Sequence, residues 1–503
     1  MKFLNVILKR LNIPIEILVD YLILPLMIVA SLIFLQTQWL VIIASLSIII
    51  LSFIISRFKL QLYLLLTIAV LLPFSFEFNI SGDLNVNLPT EPLLGVAIFS
   101  IVFDILKQPK QLFKLFNKES LWVLPLLLCY IICTFTSTMK VVSIKFSIVN
   151  ITYILVFLIW QKYLFKEQLN FFPKLITLYS LSILAIIIYG LYRFSQYNWE
   201  PATIKGTFRP FYRDHTIFGA TTAILASFWL LYSFIERIKT MKIIYFIVGL
   251  FFTAAVIFSS SRAAILSLFV FVLVSIILYF SIKLKYLICV FLIAVVFSFI
   301  FRNELLNTLR SDKFMSHDYR NNYIEQIEST GNINSEVSNI ERLNRWYSGM
   351  KMFFEKPLFG FGPGSYQFKY IPYQNKEFMN RLTVMDPWHI PDNSGGTAHS
   401  EYILLISEMG ILGIISFLLI ICRLTWITFQ RSNYKNNKKI IVMSFAVLST
   451  YLFHASFNNF LNTDKFAFLF WSFSTWIFVL YESRDNYEHP KINLNNVHDN
   501  FIG

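Results

Sequence analysis

Unbroken apolar runs of about twenty residues, joined by short basic loops, constrain this chain more than any other feature. A helix needs roughly 20 apolar residues to cross a bilayer core. Hydrocarbon offers no partner to the backbone, so such a run must satisfy its own N–H and C=O groups as a helix. By that rule the candidate spans are 19–36, 38–56, 60–76, 92–106, 120–137, 146–161, 175–192, 215–235, 243–260, 262–281, 286–301, 399–422, 440–458 and 466–482. The expected fold is all-α, a polytopic integral membrane protein of about 14 transmembrane helices. Composition agrees, with 56% hydrophobic and 14% charged residues, where a soluble domain carries about 25% charge.

One segment breaks the pattern. Residues 302–398 form a long polar loop, expected to be extracytoplasmic. It separates an N-terminal block of about 11 spans (1–301) from a C-terminal block of about three (399–482), and a tail follows at 483–503. When sides alternate from a cytoplasmic N-terminus, the inner loops hold 24 lysines and arginines and the short outer ones 8. The long loop holds the other 11 of 43 and is left out of the comparison, because long loops translocate regardless of charge. Both termini are therefore expected in the cytoplasm. The net charge of +14 is a topology signal rather than the footprint of a nucleic-acid protein.

Residues 243–281 are 39 nearly continuous apolar residues, interrupted only at Ser259-Ser260-Ser261-Arg262. One helix of that length would be about 58 Å long, roughly twice the bilayer core. The spacing predicts two spans folded at the Ser-Arg break, with Arg262 on the side of the long loop. Inside the loop, Ser338-Asn339-Ile340-Glu341 has the form of a capping box. Ile340, Leu343, Tyr347, Met350 and Phe354 then repeat at helical spacing, which predicts an amphipathic helix ended by Pro357. Gly360-Phe361-Gly362-Pro363-Gly364 reads as a tight turn and lacks the Lys-Ser/Thr of a phosphate loop. Flexible stretches are expected at 303–335 and in the tail. Cys129, Cys133, Cys289 and Cys422 lie in apolar runs without metal-ligand spacing, so they read as small buried hydrophobes and no metal or cofactor is expected. The N-terminus, with Lys2, Lys9 and Arg10 before the run from Tyr21, has no small-residue cleavage site and reads as a first span.

Chemistry is expected around the loop. His399 stands at the mouth of the helix that closes it, and imidazole is the commonest general base near neutral pH. Gly410 and Gly413 fall within about 40° of its azimuth at 100° per residue, a face for close helix packing. Glu408 points away and lies too deep to orient His399. The bland alternative for His399 is a hydrogen bond at a helix start. Arg262, Arg209, Arg213 and Arg345 form a second set on the outer side, where guanidinium forks suit a diphosphate. Plain pairing with lipid, Asp214 or Glu341 is the alternative for each arginine, least for Arg262 inside an apolar hairpin. Apart from Glu408 and Asp104, the spans carry almost no ionisable groups at mid-depth, and His454 beside Asn458 and Asn459 reads as interfacial. That scarcity argues against an ion-coupled transporter.

These pieces together resemble the O-antigen ligase and O-antigen polymerase family of bacterial envelope glycosyltransferases. The matching motifs are Lys205-Gly206-Thr207-Phe208, Ser261-Arg262-Ala263-Ala264, Arg345-Trp346 with Pro357-Leu358-Phe359-Gly360-Phe361-Gly362, Ala398-His399-Ser400, and Glu408-Met409-Gly410-Ile411-Leu412-Gly413. They cover roughly 205–415. The resemblance implies a multi-pass protein of the bacterial inner membrane with a periplasmic catalytic loop. It would move a glycan from undecaprenyl diphosphate to a hydroxyl of the lipid A core, without metal or nucleotide. A second lipid-linked glycan as acceptor would make it a polymerase, transfer to a protein is a third family activity, and a lipid-glycan flippase is the rival from another class. By the same resemblance His399 is the base that deprotonates the acceptor, Arg262 holds the diphosphate, and Arg209 or Arg213 supplies a further arginine.

Overall fold

The structure, a computed structural model, describes residues 58–81, 84–110, 114–116, 118–169, 171–282, 337–379, 383–384, 396–430 and 437–483. The runs expected at 19–36, 38–56 and 286–301, the stretch 303–335, Cys289 and the tail beyond Ser483 lie outside the described residues.

Apolar runs become helices in the order in which they stand in the chain. The first are α1 (Phe58–Leu71), α2 (Thr90–Lys107) and α3 (Leu124–Phe135). A rod follows in which α4 (Lys140–Ile154) and α5 (Gln161–Glu167) join through a π-helical turn at Leu155–Trp160. Next come α6 (Phe171–Gln196), α7 (His215–Ile235), α8 (Lys239–Phe258) and α9 (Arg262–Tyr279). The loop contributes α10 (Val337–Glu355) and the single turn α11 (Tyr366–Lys369). The chain then closes with α12 (Glu401–Phe429), α13 (Lys438–His454) and α14 (Asp464–Glu482). Seven helices among the described residues are long and apolar enough to cross a membrane: Lys118–Phe135, Lys140–Lys166, Phe171–Gln196, His215–Ile235, Lys239–Phe258, Arg262–Tyr279 and Glu401–Phe429. The helices α1, α2, α13 and α14 coincide with four more of the expected runs.

The all-α expectation needs one correction. Phe76–Ser81 (β1) and Leu84–Leu88 (β2) form an antiparallel hairpin that pairs Phe76 with Leu88 and Phe78 with Val86. The alternation Phe76-Glu77-Phe78-Asn79 carried the period of two that marks a strand.

The last helix is the hub. Every residue of α14 from Asp464 to Leu480 is buried, because Phe, Trp, Leu and Val leave it apolar on all sides. Around it pack α13, α12, α7 and the α4–α5 rod. Ring contacts fill the gaps, with Phe172 stacked on Trp476 at 5.0 Å and Phe157 edge-on to Phe468 at 5.3 Å. Only a minor share of α8 and α9 is buried, so they lie at the periphery.

Polar groups sort to the two ends. At one end Arg423 binds Glu119 through two bonds of 2.8 and 2.6 Å, and Glu482 pairs with Lys162 at 2.6 Å and with Lys166. At the other end Ser75 donates to Asp464 (2.7 Å), Thr138 N–H donates to Phe361 (3.0 Å) and Glu401 N–H donates to the carbonyl of Ala455 (2.8 Å). The loop docks on this second end. The hairpin expected within 243–281 turns there, with Ser261 capping α9 by accepting from Ala264 N–H (3.4 Å).

Two local readings are overturned, and the expected loop helix forms with its apolar side outward. The capping box does not form: Glu341 lies inside α10 and accepts from Arg345 Nε (2.8 Å) and Thr383 (3.2 Å). The loop helix buries its polar and small face, Glu341, Asn344, Arg345, Ser348 and Met352, while Tyr347 and Phe354 stay outward. A buried ion pair and a close Gly349–Ile403 approach hold that face down, which the hydrophobic period could not reveal. Finally, Cys129 and Cys133 are buried with sulfurs 3.6 Å apart, as expected, but Cys422 is exposed on the outward side of its helix.

Candidate active site at the loop end of the bundle

His399 stands two residues before α12, outside the span. Ser400 caps the helix by accepting from Ile403 N–H (3.4 Å), so the imidazole belongs to the loop rather than to the helix mouth. Its backbone is left-handed (φ 49°), a conformation that costs a non-glycine residue about 1–3 kcal/mol and persists where surroundings enforce it. They do so here from both sides. Trp346 Nε1 on α10 donates to the His399 carbonyl (3.2 Å), and Thr397 donates to Asn459 Oδ1 (2.6 Å) in the α13–α14 turn. Asn458, the preceding residue in that turn, interacts with the imidazole. Dense packing, joined by the charges of Arg345 and Arg342, pushes the His399 pKa down to about 3, so the ring is neutral across the physiological range.

Arg345 is a buried pin. Its Nε donates to Glu341 (2.8 Å), its Nη1 donates to the carbonyl of Thr397 (2.9 Å), and its guanidinium lies 5.1 Å from the Tyr370 ring centre. Tyr366 OH donates to its carbonyl (2.7 Å). Burial lifts Glu341 above the usual carboxylate range despite Arg345. Met352, Phe361, Tyr366, Tyr370, Ala398 and Leu404 make a small core around this pin, which gives the loop a packed interior of its own.

Glu408 is not a mid-membrane charge facing a pathway. Its two oxygens accept from Gly364 N–H (2.8 Å) and Tyr366 N–H (2.9 Å), closing the glycine turn over α12. Gly362 (φ 110°) packs so closely on Ser137 and Ser143 that a Cβ would overlap both. Among the described residues, the face expected at Gly410 and Gly413 receives no helix. Gly410 breaks α12 (φ 61°, ψ −156°), and the loop backbone at Pro357–Leu358 fills the space a side chain would need. Ile411 N–H, freed by the break, donates to the Pro357 carbonyl (2.8 Å).

The arginines divide. Arg262 opens α9 at the loop end, partly buried. Its charge, with those of Lys205, Asp214 and Arg342, acts on His215 at the start of α7. Arg342 also acts on His399 and His454. It therefore lies between the Arg262 side of the site and the His399 side. Arg213 points to the β-hairpin and pairs with Glu77. Arg209 is exposed, and its carbonyl accepts from Tyr189 OH (3.0 Å). So Arg342 is within electrostatic reach both of His215, on which Arg262 also acts, and of His399, while Arg345 props the loop and Arg213 is drawn aside.

Arg342, His215 and Asn458 were not legible as site residues. Arg342 offered one signal, since it precedes Arg345 by three residues and so lies on an adjacent face of the same helix. Asn458 offered none, because sixty residues of chain separate it from the loop end.

Residues 246–418 match the family model described as O-antigen ligase. That match supports the family resemblance over 246–418; it takes in Arg262, Arg342, Arg345 and His399 but not the Lys205–Phe208 motif, Arg209 or Arg213, and it supports a ligase- or polymerase-type enzyme of the membrane. No curated protein matches the chain.

Proposed function

From a ligase match that takes in the loop, α9 and the first part of α12, we propose that this chain transfers a glycan from undecaprenyl diphosphate to an acceptor hydroxyl. The reaction takes place at the periplasmic face of the bacterial inner membrane, with both termini in the cytoplasm. The lipid A core is the leading acceptor. What supports this reading is the ligase match over a loop that holds His399 in a left-handed conformation, with Trp346 and Arg345 hydrogen-bonded to the carbonyls of His399 and Thr397.

The chemistry asks for little more. The diphosphate is already a good leaving group, so the site must neutralise charge developing on it and remove one proton from the acceptor. Arg262 and Arg342 supply the first, with Lys205 and Arg209 nearby. His399 supplies the second: its free ring nitrogen takes the acceptor proton as the acceptor oxygen bonds to the anomeric carbon. The bond from that carbon to the diphosphate breaks, and the undecaprenyl diphosphate leaves. Asn458 orients the ring, as the partner of a catalytic histidine must.

Deletion of the gene followed by a gel of surface glycans tests the reading. Loss of a ligase leaves the acceptor bare while polymer accumulates on the carrier. Acceptors bearing a single unit would indicate a polymerase instead, and units trapped on the cytoplasmic leaflet a flippase. Complementation with His399→Ala should reproduce the deletion, with a loss of about 10²–10⁴-fold in transfer; a fully active variant removes His399 from the chemistry.

A further inference from the structure

Among the described residues, the C-terminal end of the loop helix α10 turns apolar side chains outward. Phe354 is 71% exposed and Leu358, just beyond the helix end, 57%. Their depth says what covers them. Helices α10 and α12 run side by side in the same direction: Trp346 meets His399, Gly349 meets Ile403, and Pro357 meets Ile411. Ile411 is ten residues into α12, so the end of α10 lies about 15 Å along that helix from its start. The next residue, Leu412, begins the outward apolar stripe of the span with Ile415, Leu418 and Leu419. On the other side, Phe361 accepts from Thr138 N–H at the end of α3. There Phe135 is 77% and Val141 83% exposed. The Phe354–Leu358 segment is thus flanked by two outward apolar surfaces of crossing helices, at the level where α3 ends.

Cations accompany the apolar side chains. Lys351 Nζ lies 5.4 Å from the Tyr347 ring centre and Lys356 Nζ 4.8 Å from that of Phe361. Aromatic rings, aliphatic anchors and lysines on one amphipathic helix are the composition of an element seated at a membrane interface.

We propose that α10 is an interfacial helix, with Phe354 and Leu358 among the acyl chains of the loop-side leaflet and Lys351 and Lys356 at its phosphates. This fixes the height of the site. Trp346 of the same helix holds the His399 carbonyl, and Arg342 stands one turn earlier, so both groups are set relative to the plane of lipid phosphates. The inference does not depend on the reaction catalysed.

The test uses the full chain in nanodiscs of phosphatidylethanolamine and phosphatidylglycerol. Phe354→Cys and Lys351→Cys, on a background in which native cysteines are replaced by alanine, carry an environment-sensitive fluorophore; Glu377→Cys in the polar part of the loop is the aqueous reference. A quencher at acyl carbon 5 should dim the label at 354 at least twofold more than at 377. A headgroup quencher should act most strongly at 351. Labels at 354 and 351 quenched no more than at 377 overturn the proposal. So does shielding at 354 that vanishes on dilution of the protein, which would mean a second copy covers the face.

Discussion

His399 carries more constraint than any other residue of the site. A left-handed histidine held by Trp346, with Asn458 at its ring, is fixed in orientation before any acceptor arrives. Its pKa of about 3 lies below the ordinary value of 6.5. The unfolded chain therefore binds more protons between those values, and stability is lost as pH falls below about 6.5. His399→Gln removes this contribution, so its melting temperature should decline less between pH 7 and 5 than that of the wild type. An equal decline would show that the ring is protonated with ordinary affinity in the folded protein. Transfer by the wild type should, by the same shift, show no acidic limb near pH 6.5.

At the scale of elements, α12 is two helices joined at Gly410. The break lets the loop descend beside the helix, where Pro357 and Gly360 dock on its backbone and Gly362 packs against Ser137 and Ser143. Only glycine is at ease near φ 61°, ψ −156°. Gly410→Ala would add that strain, about 1–3 kcal/mol, to an overlap with the Leu358 carbonyl. The expected result is a lowered melting temperature in detergent and a detached loop, seen as new protease cleavage between α10 and α12. An unshifted melting point would show that the junction does not bear on the fold. Gly410 was legible as a place of close approach, but the face it was expected to share with His399 and Gly413 does not form, since His399 lies outside the helix and Gly413 meets only its own helix. What approaches Gly410 was not legible, because the partner is a loop backbone with no periodicity.

For the whole molecule, burial of α14 against α13, α12, α7 and the α4–α5 rod makes the bundle a scaffold for one functional end. The charged clusters of the opposite end, Arg423 with Glu119 and Glu482 with Lys162 and Lys166, are paired, and no line of ionisable groups joins the two ends among the described residues. Activity in detergent micelles should therefore need no ion gradient. Strict dependence on a proton or sodium gradient across proteoliposomes would return the protein to the transporters.

Hydropathy alone determined the spans among the described residues and the turn at Ser261–Arg262. Lysine and arginine counts set the expected orientation. Both rest on the transfer of single residues between water and hydrocarbon, which each residue carries with it wherever it stands. Tertiary structure decided which arginine props the loop, which one joins the two halves of the site, and which asparagine meets the histidine. Those choices depend on contacts between segments far apart in the chain, such as Arg345 with Thr397 or Trp346 with His399. The outward turn of the α10 apolar face has the same origin. Arg345 and Glu341 are tied to Thr397 and Thr383 outside the helix, which fixes the face that turns inward, and the proposed seat in the bilayer gives Phe354 an apolar surrounding.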